Sequence, residues 1–371
     1  MPNYKEDVEK ILALADITLN GKRSFDLQVH NEKFYERTLK NGSLGFGESY
    51  MDGWWDCSAL DEMFTKVFLS KLNKKIIPLY VVFAALKSKL TNLQTKERSK
   101  EVAELHYDLG NDFYAAMLDK RMQYTCAYWD KGAKTLDQAQ EDKLDLVCKK
   151  LQLKKGDKVL ELGCGWGGFA KFAAEKYKCE VTAYNISEEQ VSYARKICKG
   201  LPVNIVKEDY RKAKGIYDKV VSIGMCEHVG YKNYRAFMEL VSACLKPNGL
   251  FLLHTIGGNV SVTITDPWIE KYIFPNSMLP SIKQLSTSFE KIFVMEDWHN
   301  LSTNYDKTLM AWDINFRRHW PEFKEKYGEK FYRMWRFYLL SSAAQFRSRK
   351  TQLWQIVLSK GGLADGYKSV R

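Results

Sequence analysis

The chain has 371 residues, 45% of them hydrophobic and 13% aromatic, so it can bury a large core and is no disordered polymer. Its 57 Lys and Arg against 45 Asp and Glu leave a net charge of +12, which suits an anionic partner, either nucleic acid or an anionic membrane, or equally a basic surface that only keeps the protein in solution. The eight cysteines (57, 126, 148, 164, 179, 198, 226 and 244) form no CxxC pair and no zinc-ligand spacing with His, so no metal is expected and the thiols read as free in a reduced, cytoplasmic protein.

The first residues carry no apolar signal core. Val8, Ile11, Leu12, Leu14 and Ala15 recur at helical spacing and predict an amphipathic helix that stops near Asn20-Gly21. A short strand is expected over 25–29 and a second helix over 32–40, ending at Asn41-Gly42. The stretch 42–56, GSLGFGESYMDGWWD, mixes glycines with Phe46, Tyr50, Trp54 and Trp55. It reads either as an aromatic core between short elements or as an apolar surface for lipid. A helix follows over 60–72. Residues 71–100 then hold eight basic residues and one acid, Glu97, around the apolar run 76–86, IIPLYVVFAAL. That run is far short of the ~20 residues that a spanning helix needs. Basic residues flanking a short apolar helix suit either an interfacial segment on anionic lipid or a linker helix with a solvated face. The domain boundary is placed here, with a helical N-terminal domain over 1–80, a basic linker over 81–95 and a larger domain over 96–371.

The larger domain opens on HYDLGNDFYAAM (106–117), where Asp108 or Asn111 is the candidate helix cap. An amphipathic helix over 136–151 leads to KVLELGCGWGGF at 158–169. This reads as a strand ending in Glu161, a turn through Gly163, Gly165, Gly167 and Gly168, and a helix to 177. The pattern is the opening of a nucleotide-binding α/β unit or, more plainly, a tight strand-to-helix turn. Strands over 179–184, 203–207, 217–223 and 250–255 follow, with helices over 187–198 and 231–245. Ser187 and Gln190 suggest a capping box. Such alternation defines a parallel, doubly wound α/β sheet. Residues 257–290 are too long for an ordinary loop and read as a lid. Aromatic-rich helices over 305–320 and 331–347 and a late strand over 352–358 complete the chain.

Ligands in such sheets bind at the carboxyl ends of the strands. Glu161 stands where a cation can be held, and Gly163 and Gly165 let the backbone close on a ligand. Asn185 and Gln190 can hydrogen-bond a ribose or a carboxylate, and Asp209-Tyr210 offers an acid and a flat ring to an adenine. No Walker A motif and no basic residue for a phosphate is present, so a cationic nucleoside fits better than NAD or ATP. Glu227-His228 and His254 fall at the ends of later strands, while Cys126 and Tyr305 lie before and after the sheet.

The chain resembles the bacterial cyclopropane-fatty-acyl-phospholipid synthases. The resemblance rests on GSLGFGESYMDGWW (42–55), LHYDLGND (105–112), QYTCAYW (123–129), VLELGCGWGG (159–168), GMCEHVG (224–230), LLHTIG (252–257), DPWIEKYIFPN (266–276), MEDWHN (295–300) and YDKTLMAW (305–312). It implies a seven-stranded, mostly parallel, Rossmann-like class I methyltransferase sheet behind a small, mainly helical N-terminal domain. It further implies S-adenosylmethionine bound by Tyr124, Thr125, Glu161, Gly163, Cys164, Gly165, Asn185, Ile186, Gln190, Asp209, Tyr210 and Ile223. Cys126, Glu227, His254 and Tyr305, with the backbone of Ile256, match the family positions that hold a bicarbonate ion acting as general base. Asn185 stands where members commonly have Thr, and Ser342 where some have Cys. The implied activity is methylene transfer to the cis double bond of phospholipid acyl chains at a membrane surface. The implied setting is a homodimer in the cytoplasm, peripheral to the inner face of the membrane, with no nucleic-acid partner.

Overall fold

The computed structural model describes residues 3–72 and 109–371. The apolar run 76–86, the linker 81–95, His106 and Asp108 lie outside the described residues. The described chain forms two compact units.

The first unit gathers residues 3–72, Thr263–Pro275 and Asp306–Thr351. Its helices are α1 (Tyr4–Ala13), α2 (Lys33–Met51) and α3 (Leu60–Leu69), with a two-stranded ribbon of β1 (Gln28–Val29) and β2 (Trp55–Asp56). Sequence reading ended the second helix at Asn41-Gly42. Instead Gly42 takes φ 56° and ψ −133°, a break only glycine makes cheaply, and helix resumes to Met51. The resumed turns carry Phe46 and Tyr50 into an aromatic core. Phe46 packs on Trp55 with centroids 4.5 Å apart and Phe64 on Phe337 at 5.0 Å. Trp55 is 0% exposed, which decides for core over lipid surface in this stretch. The consecutive split at 81–95 is revised by the two later segments. Trp268 lies 4.5 Å from Phe337, and a Cβ on Gly47 would come within 2.4 Å of its indole, so these residues fill the same core.

The second unit gathers residues 109–262, Asn276–Tyr305 and Gln352–Arg371. Its helices are α4 (Asn111–Met117), α5 (Leu136–Lys150), α6 (Gly168–Phe172), α7 (Glu188–Ile197) and α8 (Tyr234–Cys244). A π turn (Ala173–Tyr177) extends α6. The sheet strands are β3 (Lys158–Leu162), β4 (Glu180–Asn185), β5 (Val203–Lys207), β6 (Tyr217–Ile223), β7 (Leu245–Gly258), β8 (Val294–Asn300) and β9 (Thr351–Ser359). Their order is β5-β4-β3-β6-β7-β9-β8. The neighbours from β5 through β7 run parallel, and β8 pairs antiparallel with β9. This is the expected seven-stranded, mostly parallel sheet.

Side chains alternate across the sheet, and each face buries its own core. Val159, Val181, Leu250 and Leu252 meet α5, α6 and α7 on one face. Leu160, Leu162, Phe251 and Leu253 meet Tyr234, Phe237 and Val241 of α8 on the other, with Leu285 and Phe289 of α10 (Ile282–Phe289). The strand β8 escaped sequence reading because VMEDWHN is polar, as an edge strand facing water can be. Residues 257–290, expected as a lid, hold α9 (Pro267–Tyr272) and α10. The two expected aromatic helices are one run, α11 (Ser302–Arg347), broken at Gly328 with φ 72°. Asn111, expected as a cap, is the first residue of α4 behind Gly110, and its Oδ1 accepts from Trp166 Nε1 at 2.7 Å.

Candidate active site

The carboxyl ends of β3, β4, β6 and β7 come together in the second unit. After β3 the chain turns through Gly163 (φ 84°), Gly165 (φ 51°) and Gly167 (φ 82°), a backbone that L side chains rarely adopt. The amides of Gly163 and Cys164 both donate to Tyr184 O, at 3.0 and 3.1 Å, which fastens the turn to β4. A Cβ on Gly163 would come within 2.7 Å of Met225 Cγ, whereas one on Gly165 would meet nothing within 4 Å. Gly165 therefore borders open space that a ligand can fill.

Asn185, at the end of β4, spans that turn. Its Nδ2 donates to Gly165 O at 3.0 Å and to Gln190 Oε1 at 2.8 Å, and its Oδ1 accepts from the Ile186 amide at 2.7 Å. Ser187 caps α7, accepting from the Gln190 amide at 3.5 Å. The expected reciprocal half of the capping box is absent because the Gln190 side chain is committed to Asn185. Glu161 in β3 is 2% exposed. Burial pushes its carboxyl up to about 8, against the pull of Lys143, and its Oε2 has no partner among the described residues.

Asp209 and Tyr210 follow β5. The Asp209 oxygens accept from the Arg211 amide at 2.9 Å and from Arg211 Nη1 at 2.8 Å, and the Tyr210 ring packs edge-on to Phe237 at 5.6 Å. The carboxylate is thus already engaged, unlike the open turn at Gly165. Tyr124 leans edge-on against Tyr114, centroids 5.4 Å apart, and Tyr114 against Trp166 at 4.9 Å. Thr125 lies against the strand end of β6, where a Cβ on Gly224 would come within 2.6 Å of its Cγ2.

The second constellation lies at the ends of β6 and β7. Ile223 pairs with His254, and the Gly224 amide donates to His254 O at 2.9 Å. The short 3₁₀ turn Cys226–His228 then turns Glu227 back to β7, where its Oε1 accepts from the Ile256 amide at 2.6 Å. Glu227 is 6% exposed, its Oε2 is buried without a partner among the described residues, and burial pushes its carboxyl up to about 7. His254 is 1% exposed, and burial, with Lys143 and Lys150 adding to it, holds its imidazole neutral. Gln355 Nε2 of β9 donates to His254 Nδ1 at 3.2 Å, which leaves the proton on Nε2, an atom also buried without a partner. Gln355 was not foreseen. Its signal is an amide in the middle of the apolar strand 352–358, where nothing but a buried polar partner justifies it.

Cys126 is fully buried and Tyr305 nearly so. Their segments are tied together, because Asn304 Oδ1 accepts from the Trp129 amide at 2.6 Å. Thus Glu227, Ile256, His254 and Ile223 form one cluster, and Gly163, Cys164, Gly165, Asn185, Ile186 and Gln190 form another.

A doubly wound sheet of this order, with a Gly-rich turn after its central strand and open space at that turn, is that of the class I S-adenosylmethionine-dependent methyltransferases. The family model described as mycolic acid cyclopropane synthetase matches residues 94–356, and the chain belongs to this family. Cyclopropane-fatty-acyl-phospholipid synthase of Escherichia coli strain K12 is 48% identical over 360 residues, 97% of this chain and 94% of that protein. The sphingolipid C9-methyltransferase of Candida albicans is 33% identical over 285 residues, 72% of this chain and 56% of its own. Among solved structures, the cyclopropane synthase MmaA2 from Mycobacterium tuberculosis superposes with a TM-score of 0.67 at 28% identity, covering 70% of this chain and 98% of its own. The mycolic acid cyclopropane synthase CmaA1, complexed with SAH and CTAB, gives 0.66 at 29% identity, covering 70% of this chain and 98% of its own. The chain is accordingly an enzyme of the methyltransferase class.

Proposed function

We propose that this protein adds a methylene group, drawn from S-adenosylmethionine, across the cis double bond of an unsaturated phospholipid acyl chain. The products are a cyclopropane lipid and S-adenosylhomocysteine. One observation carries the reading. Glu227 Oε2, His254 Nε2 and Gln355 Oε1 are enclosed at neighbouring strands with no hydrogen-bond partner among the described residues. Buried polar atoms left so are costly unless a ligand meets them. A carboxyl able to hold its proton, a neutral imidazole donor and an amide oxygen together suit a small anion with both donor and acceptor oxygens.

Bicarbonate fits that set, with Cys126 and Tyr305 as further holders. The Ile256 amide, expected to meet the ion, is already committed to Glu227 and acts through it. Bound there, bicarbonate supplies a general base. S-adenosylmethionine, held between the Gly163–Gly165 turn, Asn185, Gln190, Tyr124 and Thr125, supplies an electrophilic methyl group. The chain's own tasks are to keep bulk water out, to fix the carboxyl and imidazole protons, and to face developing positive charge with the rings of Tyr114, Tyr124 and Trp166. The E. coli relative's name, and the complex of the structural neighbour CmaA1 with SAH and CTAB, support the lipid substrate. The same reading makes 1–80 a lipid-binding domain and the protein a cytoplasmic homodimer, peripheral to the inner face of the membrane.

The test incubates the protein with S-adenosylmethionine and vesicles of unsaturated, anionic phospholipid, then analyses the acyl chains by mass and proton NMR. The expected result is a gain of one methylene mass per double bond with loss of olefinic protons. The same mass with an olefinic proton retained would mean methylation without ring closure, and no mass gain overturns the reading.

A further inference from the structure

Helix α5 buries three polar side chains, Gln140, Lys143 and Lys150, where its spacing offers room for apolar ones, and the first two share one target. Lys143 and Gln140 are both 0% exposed. Both grip the segment 123–126. Lys143 Nζ donates to Gln123 Oε1 at 2.7 Å and to Thr125 Oγ1 at 3.0 Å. One turn earlier, Gln140 Nε2 donates to Thr125 O at 2.8 Å and to Gln123 O at 3.3 Å. The gripped segment carries Tyr124 and Thr125, both proposed above to hold the cofactor, and ends at Cys126.

A buried ammonium with no carboxylate at ion-pair distance among the described residues is a costly choice, and leucine there would pack without that cost. Burial pushes the amine down to about 8, while Asp119, Cys126 and Glu161 around it pull the other way. The geometry suggests what offsets the cost. With Oγ1 accepting from Nζ, the Thr125 hydroxyl keeps its own proton for an acceptor beyond the lysine. Both carbonyls and both side-chain oxygens of the segment's Gln123 and Thr125 are meanwhile held from one helix.

We propose that Lys143 is a positioning residue, which fixes the side chains of Gln123 and Thr125 while Gln140 holds their carbonyls, and makes the Thr125 hydroxyl a donor toward the cofactor. The proposal rests on the reading that Tyr124 and Thr125 bind S-adenosylmethionine. The experiment measures the Kd for S-adenosylhomocysteine by calorimetry, and KM and kcat, for the full-length protein and its Lys143→Met and Gln123→Leu variants and their combination. Two hydrogen bonds to a charged group predict that Lys143→Met raises Kd and the KM for S-adenosylmethionine about tenfold or more, with the KM for lipid within about twofold. Because both substitutions break one network, the double variant is expected to be no worse than Lys143→Met by more than about twofold. A lowered melting temperature with an unchanged Kd, or effects that multiply, would overturn the proposal. Should Lys143→Met fail to fold, Gln123→Leu alone is expected to raise Kd severalfold, and an unchanged Kd there overturns it equally. Failure of the wild-type protein to bind S-adenosylhomocysteine would instead sink the underlying cofactor reading.

Discussion

Glu227 spends one carboxylate oxygen on the Ile256 amide and leaves the other buried with no hydrogen-bond partner among the described residues. Glu227→Gln keeps an oxygen for the amide but puts an NH₂ where a carboxyl that can give or accept a proton stood. Removing a group from proton-transfer chemistry costs ~10²-fold or more, so kcat should collapse by that much while the Kd for S-adenosylhomocysteine stays within about twofold. Equal loss of both would mean that the residue serves the cofactor. The same substitution has a pH signature. The folded-state pKa is raised from 4.5 to about 7, so the folded protein favours the protonated acid. That contribution is complete below pH 4.5 and is lost as pH rises through 7. Between pH 5 and 8.5, wild-type stability should fall relative to Glu227→Gln by on the order of 3 kcal/mol, read by urea denaturation. Glu227 and His254 stood out by their place at the ends of the strands over 217–223 and 250–255 and by the motifs GMCEHVG and LLHTIG, since each alone reads as readily as a packed core residue. Gln355 and Lys143 were not, because their partners lie about a hundred and about twenty residues away in sequence. Gln190 was legible as a residue but misjudged in its bond, since a capping-box spacing does not reveal that Asn185 competes for the same side chain.

At the scale of elements, the strand–turn–helix after β3 is what the glycine spacing implies. Its sheet partners follow from apolar runs that take turns with helical segments, while the polar edge strand β8 left no such trace. Two substitutions separate the turn's conformation from its fastening. Gly163→Ala forces a side chain to φ 84° and against Met225, which lies 2.7 Å from the added carbon. A left-handed residue costs ~1–2 kcal/mol before any contact is counted, so chemical denaturation should show a loss of that size or more, with weaker cofactor binding. Asn185→Ala leaves every backbone angle permitted but removes the two bonds its amide donates, to Gly165 O and Gln190 Oε1, and the one its Oδ1 accepts from the Ile186 amide. Each is worth about 1 kcal/mol to the fold, so denaturation should show a loss of about 2–3 kcal/mol, and calorimetry a cofactor affinity reduced about tenfold. Asn185→Thr, whose hydroxyl can still reach one of the two partners, should recover part of it.

At the scale of the whole molecule, chain order and compactness diverge. The segments Thr263–Pro275 and Asp306–Thr351 belong by packing to the unit built on residues 3–72. Their aromatic density was visible in the sequence, but which core it would fill was not, since a Trp reads alike in any core. Charge is the other whole-molecule property. The excess of 12 basic residues is unevenly spread, and eight of the 57 Lys and Arg fall within residues 71–100 beside a single acid. If that stretch holds the protein on anionic lipid, each basic residue near the surface adds ~1 kcal/mol, and the attraction is screened with a Debye length of ~10 Å at 0.1 M salt and ~3 Å at 1 M. Cosedimentation with vesicles containing anionic phospholipid should therefore be strong at low salt and fall steeply towards 1 M. It should weaken further when Lys71, Lys74, Lys75, Lys87 and Lys89 are replaced by Gln. Such a variant should still bind S-adenosylhomocysteine as the wild type does, because none of the residues replaced is among those proposed to hold the cofactor. Binding that ignores both salt and these substitutions would assign the hold on lipid to apolar insertion alone.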